Sequence, residues 1–187
     1  GKDVPDGPDL AGLLRVINDV EGIERIRFLT SHPNYFGDEL IEAIASLPKV
    51  MPHIEVPVQA GDDAVLADMK RGYTQRDYRD LVKKIRETIP GSSIATDIIV
   101  GFPGETGACF DELLEFIRET KFERLGVFSY SKEEGTRAGN MQGQSPAKIK
   151  RERRSRAMAE QHRVAAQVSK PGSNGNSAAA LSRHLNM

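Results

Sequence analysis

Polar and apolar side chains alternate along a short segment that has the pattern of a β-strand. One face of this segment carries Ile54, Val56 and Val58, and the other carries His53, Glu55, Pro57 and Gln59. Successive side chains of a strand point to opposite faces, and the filled core of a βα barrel is apolar on both. A polar inner face therefore indicates a cavity that holds a ligand. An edge strand with one solvated face would show the same pattern, so both interpretations stand.

A second carboxylate lies within an apolar segment. Thr96, Ile98 and Val100 share one face of that segment, and Asp97 lies on the opposite face. An unpaired carboxylate in such surroundings is costly. We therefore expect Asp97 to meet a cation, to contact a ligand, or to accept structural hydrogen bonds. Arg27 is a candidate counter-charge, with a solvated position as its alternative.

Loops rich in glycine and polar residues follow each predicted strand. They comprise residues 30–35, 59–63, 101–106 and 129–136. The carboxyl ends of barrel strands are where active sites form, and glycines there allow a ligand to approach the backbone closely. His32 lies in the first loop, where it would bind phosphate, act in acid–base chemistry or serve as a turn residue before Pro33.

Composition narrows the chemistry that the chain can support. The 187 residues carry a net charge of −1 and include one cysteine. One cysteine excludes an internal disulfide, and it cannot by itself hold a structural zinc ion or an iron–sulfur cluster. We interpret Cys109 as a small packed residue. No signal peptide and no apolar run near the roughly 18 residues of a membrane span are visible.

The spacing of apolar residues along the chain predicts the strands and helices that position these residues. Four strands are predicted at residues 25–30, 53–59, 93–100 and 124–130. Helical patterns alternate with them and are expected to start at Asp9, Asp62, Thr74 and Thr106. This alternation predicts an α/β fold with a parallel sheet. Residues 148–163 contain seven Lys or Arg and two Glu, which indicates a basic helix. We expect a unit at 1–145, a helical extension at 146–168 and a flexible tail at 169–187.

Five motifs at compatible spacing resemble the methylthiotransferase family of radical S-adenosylmethionine (SAM) enzymes. They occupy residues 25–33, 54–62, 69–74, 96–106 and 130–136, and the most specific of them reads Thr-Asp-Ile-Ile-Val-Gly-Phe-Pro-Gly-Glu-Thr. The resemblance is greatest to the tRNA-modifying branch, which adds a methylthio group to C2 of an N6-modified adenosine next to the anticodon. It implies a partial TIM-like (β/α) radical SAM barrel, with four of about six parallel strands present here and a helical C-terminal extension.

The resemblance also implies cofactors, partners and site residues. The full-length family uses SAM and two [4Fe–4S] clusters, and this chain lacks the three-Cys motif, so no metal site is expected here and the isolated chain is expected to be inactive. Its partners would be the tRNA anticodon stem-loop and a sulfur donor, without a membrane, in the cytoplasm. The residues implied for SAM are Gln59, Gly61, Thr96, Asp97 and Gly101, and the substrate or RNA candidates are His32, Lys70 and Arg71.

Two interpretations remain open from the sequence. The chain is either part of such an enzyme or a non-catalytic RNA- or partner-binding module derived from a radical SAM barrel. The basic stretch 148–163 has a similar ambiguity. It would neutralise RNA phosphates, or it would pack on the barrel as a solvated amphipathic helix.

Overall fold

A parallel sheet with helices on one face positions the loops singled out above. The structure, a computed structural model, describes residues 7–29 and 32–168. Within that part of the chain the strands are β1 (His53–Glu55), β2 (Ser93–Val100) and β3 (Arg124–Ser129), paired in the order β1-β2-β3. The predicted α/β class with parallel strands is confirmed. The predicted tail at 169–187 lies outside the described residues.

In its described part, residues 25–29, the first predicted strand is reduced to one bridge. Ile26 makes one parallel bridge to Val50. Its amide donates to the Lys49 carbonyl at 2.7 Å, and its carbonyl accepts from Met51 at 3.0 Å. Phe28 packs partly buried against the core, whereas Leu29 is 76% exposed. The prediction of a strand rested on this short segment alone, which cannot show whether its other backbone groups meet a partner.

Pro57 interrupts the segment that was predicted as a strand at residues 53–59. Pro57 has no amide hydrogen to donate, and the Val58 amide donates to the Thr96 hydroxyl at 3.0 Å instead of to a carbonyl. Pairing returns at Gln59, which bridges Ile98. The segment therefore follows β2 along its whole length, although only its first three residues form regular strand.

The predicted helices are present and begin at the expected caps. Asp9, Asp62, Thr74 and Thr106 each accept a backbone hydrogen bond at a helix start, and Thr74 with Asp77 forms a capping box. The helices are α1 (Leu10–Asn18), α2 (Asp38–Ser46), α3 (Asp63–Asp68), α4 (Gln75–Thr88), α5 (Gly107–Thr120), α6 (Arg137–Asn140) and α7 (Ala147–Val168). A 3-10 turn covers Pro33–Tyr35.

The core lies between the helices and one face of the sheet. That face is apolar and fully buried at Ile54, Val56, Ile94 and Ile98. The Tyr78 hydroxyl of α4 donates to the Val56 carbonyl at 2.6 Å, which fixes α4 against the sheet. The other sheet face carries half-buried or exposed side chains, among them Glu55, Asp97 and Phe128. We call this second surface the open face.

Candidate functional site: the open face and its carboxyl edge

Asp97 and Glu55 are acidic neighbours on the open face. Glu55 pairs in register with Ala95, and Asp97 with Gly126 on β3. A Cβ atom at Gly126 would collide with Oδ1 of Asp97, so the absent side chain leaves room for the carboxylate. Burial raises the pKa of Asp97, and the negative charge of Glu55 raises it further. The two carboxylates therefore favour a cationic group beside them.

The cation suggested for Asp97 by the sequence does not meet it. Among residues 7–29 and 32–168, the Asp97 carboxylate accepts no hydrogen bond and forms no ion pair. Arg27 instead lies near His53 at the other end of the open face. Burial lowers the pKa of His53, and the charges of Arg27 and Arg124 lower it further. Asp97 is thus left as a half-buried carboxylate whose surroundings fit a ligand.

Gln59 lies next to Asp97 on the adjacent segment. Its amide donates to the Asp97 carbonyl at 2.9 Å, and its carbonyl accepts from Ile99 at 2.9 Å. Its φ is 76°, in the left-handed region that non-glycine residues seldom adopt. Both backbone groups are therefore used to hold this unusual turn. The residue is half-buried at the carboxyl end of its segment.

Thr96, implied for SAM by the resemblance, lies on the opposite face from Asp97. Its side chain is buried against the helices. The hydroxyl accepts from the Val58 amide at 3.0 Å, donates to the Val56 carbonyl at 3.1 Å and lies 3.2 Å from the Tyr78 hydroxyl. These contacts use the hydroxyl fully, so this geometry gives Thr96 a structural role.

The two glycines that the resemblance implied for SAM, Gly61 and Gly101, lie in close contact with helices of the chain. A Cβ atom at Gly61 would lie 2.6 Å from Cα of Leu113 in α5, so Gly61 permits close helix packing. Gly101 has a φ of +73°, and a Cβ there would lie 2.5 Å from Cγ of Lys150 in α7. The Gly101 amide donates to the buried Glu105 carboxylate at 3.0 Å. Turn geometry and packing therefore account for both positions.

Lys70 and Arg71, proposed for substrate or RNA, come together at a cavity of about 340 Å³ beyond the carboxyl ends of β2 and β3. We call it the edge cavity. Sequence reasoning missed several of its residues, although some of them lie within the quoted motifs, because no pattern in the sequence marked them as neighbours of Lys70. The lining consists of Asp68, Met69, Lys70, Arg71, Ile99, Phe102, Tyr130, Arg137 and Ala138.

His32 does not line the edge cavity but lies near it. Its ring centroid is 5.6 Å from that of Tyr35 and 5.5 Å from that of Tyr73. Its Nδ1 accepts from the Asn34 amide at 3.3 Å, as expected of a turn residue. Burial lowers the pKa of His32, and the charge of Arg71 lowers it further. Neutral imidazole is therefore the favoured form at neutral pH.

The thiolates that an iron–sulfur cluster requires do not come from this sequence. Cys109 is its one cysteine, and its Sγ lies 3.0 Å from the Thr106 hydroxyl in the first turn of α5. The described residues contain no group of three or more His, Cys, Asp or Glu side chains that could hold a metal ion. The residues present therefore do not fit a cluster, and the roles open to them are in binding and positioning other groups.

The basic stretch 148–163 forms most of α7, which packs on β3 and α5. Five of its seven cationic side chains contact groups of the protein. Arg153 pairs with Glu105 at 2.5 Å, and Arg154 donates to the Val127 carbonyl at 3.0 Å. Lys150, Arg156 and Arg163 also have such partners. The structure thus supports the packed-helix interpretation over the RNA-binding one for most of this stretch.

No helix within the described residues is long and apolar enough to cross a bilayer.

Comparison with known proteins places the chain in a family. The family model described as the Radical SAM superfamily matches residues 1–117. The tRNA-2-methylthio-N(6)-dimethylallyladenosine synthase of Caldicellulosiruptor saccharolyticus is 50% identical over 153 residues, which is 82% of this chain and 32% of that protein. The ribosomal protein uS12 methylthiotransferase RimO of Opitutus terrae is 52% identical over 164 residues, or 88% of this chain and 35% of that protein.

The chain therefore spans about a third of the length of these relatives. Among solved structures, Streptococcus suis SuiB bound to S-adenosylmethionine is similar with a TM-score of 0.48 and 16% identity, covering 68% of this chain and 28% of that one. The resemblance to methylthiotransferases drawn from the five motifs is confirmed by the relatives. Since the family model covers more than half of the residues, this chain belongs to the Radical SAM superfamily.

Proposed function

We propose that this chain is a portion of a tRNA methylthiotransferase that adds a methylthio group to C2 of an N6-modified adenosine next to the anticodon. The observation that carries the proposal is the 50% identity to a tRNA-2-methylthio-N(6)-dimethylallyladenosine synthase over 153 residues. A sulfur donor and the anticodon stem-loop are the proposed partners, in the cytoplasm. We retain 1–145, 146–168 and 169–187 as the proposed units.

SAM is the proposed cofactor of the open face, and the residues there fit it. SAM carries a sulfonium and an ammonium group, both positive, and the acidic pair Glu55 and Asp97 provides negative charge that favours a cationic ligand. The backbone of Gln59 is bonded to that of Asp97 and holds a turn at the carboxyl edge. We keep Gln59 and Asp97 as SAM contacts and assign Gly61, Thr96 and Gly101 to positioning the strands and turns around them.

When bound with a reduced [4Fe–4S] cluster, SAM supplies the radical chemistry of this superfamily. The proposal keeps two clusters for the full-length enzyme, and their thiolates must come from outside this chain because it has one cysteine. The isolated chain is accordingly proposed not to cleave SAM.

A chimera tests the function directly. The matched 153-residue segment of the Caldicellulosiruptor relative is replaced by this chain's segment. The chimera is produced in bacteria that lack their own tRNA and ribosomal-protein methylthiotransferases. Mass spectrometry of hydrolysed tRNA is expected to find the methylthiolated adenosine. A chimera that carries its normal iron content but leaves tRNA unmodified would contradict the proposal.

The same chimera identifies which residues contact SAM. Asp97→Asn is expected to weaken SAM binding by about tenfold or more, because a hydrogen bond to a charged group contributes about 1.5–3 kcal/mol. Asp80→Asn, at a position on α4 away from the open face, is the matched control and should leave SAM binding unchanged. Equal affinity in both variants would remove Asp97 from the site.

A second candidate function is methylthiolation of a ribosomal protein. It is favoured by the 52% identity to ribosomal protein uS12 methylthiotransferase RimO. The two functions separate in one experiment, since intact-mass measurement of ribosomal proteins from the chimera-producing cells reports that modification. Modified ribosomal protein together with unmodified tRNA would contradict the tRNA function and support the ribosomal-protein function.

A further inference from the structure

Two cationic side chains of α7 reach the turn that follows β2. Lys150 and Arg153 are three residues apart in the helix, so they project from the same side of it. Both are half-buried, whereas Lys148 and Arg151 of the same helix are exposed. Neither Lys150 nor Arg153 has a part in the function proposed above. The contacts that they make show what they hold in place.

Arg153 holds the turn through a buried carboxylate. Its Nη1 donates to the Glu105 carboxylate at 2.5 Å and to the Glu105 carbonyl at 2.9 Å. The same carboxylate oxygen, Oε1, accepts from the Gly101 amide at 3.0 Å. One oxygen atom therefore joins the helix to the first residue of the turn. Glu105 is 8% exposed, so water competes little for this oxygen.

Lys150 contacts the same turn and also the end of β3. A Cβ atom at Gly101 would lie 2.5 Å from Cγ of Lys150, so the aliphatic part of the lysine packs directly on the turn. Its Nζ donates to the Tyr130 carbonyl at 2.9 Å and lies 4.8 Å from the centre of the Tyr130 ring. The Tyr130 amide in turn donates to the Val100 carbonyl at 2.9 Å. Lys150 thus joins the turn after β2 to the residue after β3.

The turn is continuous with the backbone that carries the proposed SAM contacts. Asp97 lies four residues before Gly101 in β2, and Gln59 is bonded to the β2 backbone at Asp97 and Ile99. Parallel strands are joined by evenly spaced hydrogen bonds, so a displaced Gly101 turn would move the carboxyl end of the open face. The contacts of α7 therefore bear on the geometry of both SAM contacts.

We propose that Lys150 and Arg153 are positioning residues for SAM, which hold the Gly101 turn and so set the placement of Asp97 and Gln59. This inference rests on the proposed cofactor and adds α7 to the elements that determine its affinity. Coupling between two sites is reciprocal, so bound SAM stabilises the contacts between α7 and the turn. A helix that only completes the fold would not respond to the cofactor.

A chimera with the Caldicellulosiruptor relative that carries all of α7 from this chain tests the proposal, and equilibrium dialysis with radiolabelled SAM measures the affinity. Lys150→Met keeps the aliphatic side chain and removes the charged donor, and it is expected to weaken SAM binding about threefold to tenfold. Lys150→Arg restores a charged donor and should recover most of the affinity. Lys148→Met, at an exposed cation of the same helix, is the matched control and should bind SAM as the unchanged chimera does.

Arg153→Lys tests the second residue without removing its charge. Lysine does not reproduce the planar guanidinium group, so we expect SAM binding to weaken about threefold while the iron content stays unchanged. Arg151→Met, at another exposed cation of α7, is the control and should leave the affinity unchanged. Affinities in Lys150→Met and Arg153→Lys equal to that of the unchanged chimera would overturn the proposal.

Hydrogen exchange followed by mass spectrometry separates positioning from a purely structural role. Bound SAM is expected to slow amide exchange at residues 101–106 and 150–154 of the unchanged chimera, because the coupling is reciprocal. The slowing at 150–154 should be lost in Lys150→Met. Slowing at 101–106 without any change at 150–154 would contradict the coupling.

Iron content and circular dichroism show whether each variant keeps its fold. A Lys150→Met chimera that loses iron together with SAM binding would give Lys150 a general structural role and overturn the proposal. If the SAM affinity depends on Lys150 while tRNA stays unmodified, the proposed function fails alone. If tRNA is modified while the SAM affinity is independent of Lys150 and Arg153, this inference fails alone. A folded, iron-bearing chimera that does not bind SAM would overturn both.

Discussion

Thr96 and Asp97 are adjacent in β2 and face opposite sides of the sheet. Thr96 is 2% exposed and binds the backbone of the neighbouring segment through its hydroxyl. Asp97 lies half-buried on the open face, without a cation among the described residues. One residue therefore stabilises the sheet, and the other is available to a ligand. Substitutions at the two positions should separate these roles.

Thr96→Val is expected to lower the free energy of unfolding by about 1–3 kcal/mol, because the buried Val58 amide loses its acceptor. Urea denaturation followed by circular dichroism measures the change. Thr120→Val is a matched control, since the buried Thr120 hydroxyl has no partner among the described residues. That variant should be as stable as the unchanged chain or more so. Equal losses in the two variants would contradict the structural role of Thr96.

Asp97→Asn should change how stability depends on pH. Burial and Glu55 raise the pKa of Asp97 above its ordinary value of 3.8 in the folded chain, so ionisation is less favourable there than in the unfolded chain. The unchanged chain therefore loses stability as pH rises from about 4 through the raised pKa, and the Asn variant lacks that loss. Urea denaturation from pH 4 to 7 should show the variant gaining relative stability. A difference independent of pH would contradict this.

Gly61→Ala distinguishes packing from cofactor binding at this glycine. The added Cβ would meet Cα of Leu113 at 2.6 Å, and a backbone atom cannot move aside cheaply. We expect a loss of about 1–3 kcal/mol or more in thermal or urea unfolding. Gly107→Ala, where no atom lies within 4 Å of the new Cβ, should be neutral or stabilising. A stable Gly61→Ala chain whose chimera fails to bind SAM would restore the cofactor role.

Arg153→Met tests the ion pair that attaches α7 to the loop after β2. The side chains of Arg153 and Glu105 are 12% and 4% exposed, and they meet at 2.5 Å. Removing the cation leaves a buried carboxylate, so we expect a loss of about 3–5 kcal/mol at pH 7. Burial already raises the pKa of Glu105, so the loss should shrink at low pH as Glu105 becomes protonated.

Arg163→Met is the control for that variant, because Arg163 is 72% exposed and its buried partner Glu160 keeps a second cation, Arg118. A pair made by an exposed cation contributes about 0–1 kcal/mol, so the unfolding curve should nearly match that of the unchanged chain. Adding Glu105→Gln to Arg153→Met should recover part of the loss. A double variant no more stable than the single one would contradict a buried-charge origin.

Local sequence signals predicted the helices well because caps act within a few residues. Thr74 and Asp77 form their capping box from side chains three residues apart, and the same is true of the hydrogen bond from Gly12 to Asp9. Strand pairing depends on distant partners, and there prediction was weaker. A strand was predicted at residues 25–30, yet in the described part of that segment Ile26 makes a single bridge.

By itself, the sequence determined the parallel α/β class, the helix starts, the family and the lack of thiolates for a cluster. These depend on periodicity, on caps, on motif spacing and on a count of cysteines. Only the tertiary structure decided that Gly61 meets Leu113, that Gly101 lies under Lys150 and that Tyr130 joins Arg71 at one cavity. These partners are separated by 49 to 59 residues in the sequence, so folding alone brings them together, and no local pattern encodes their contact.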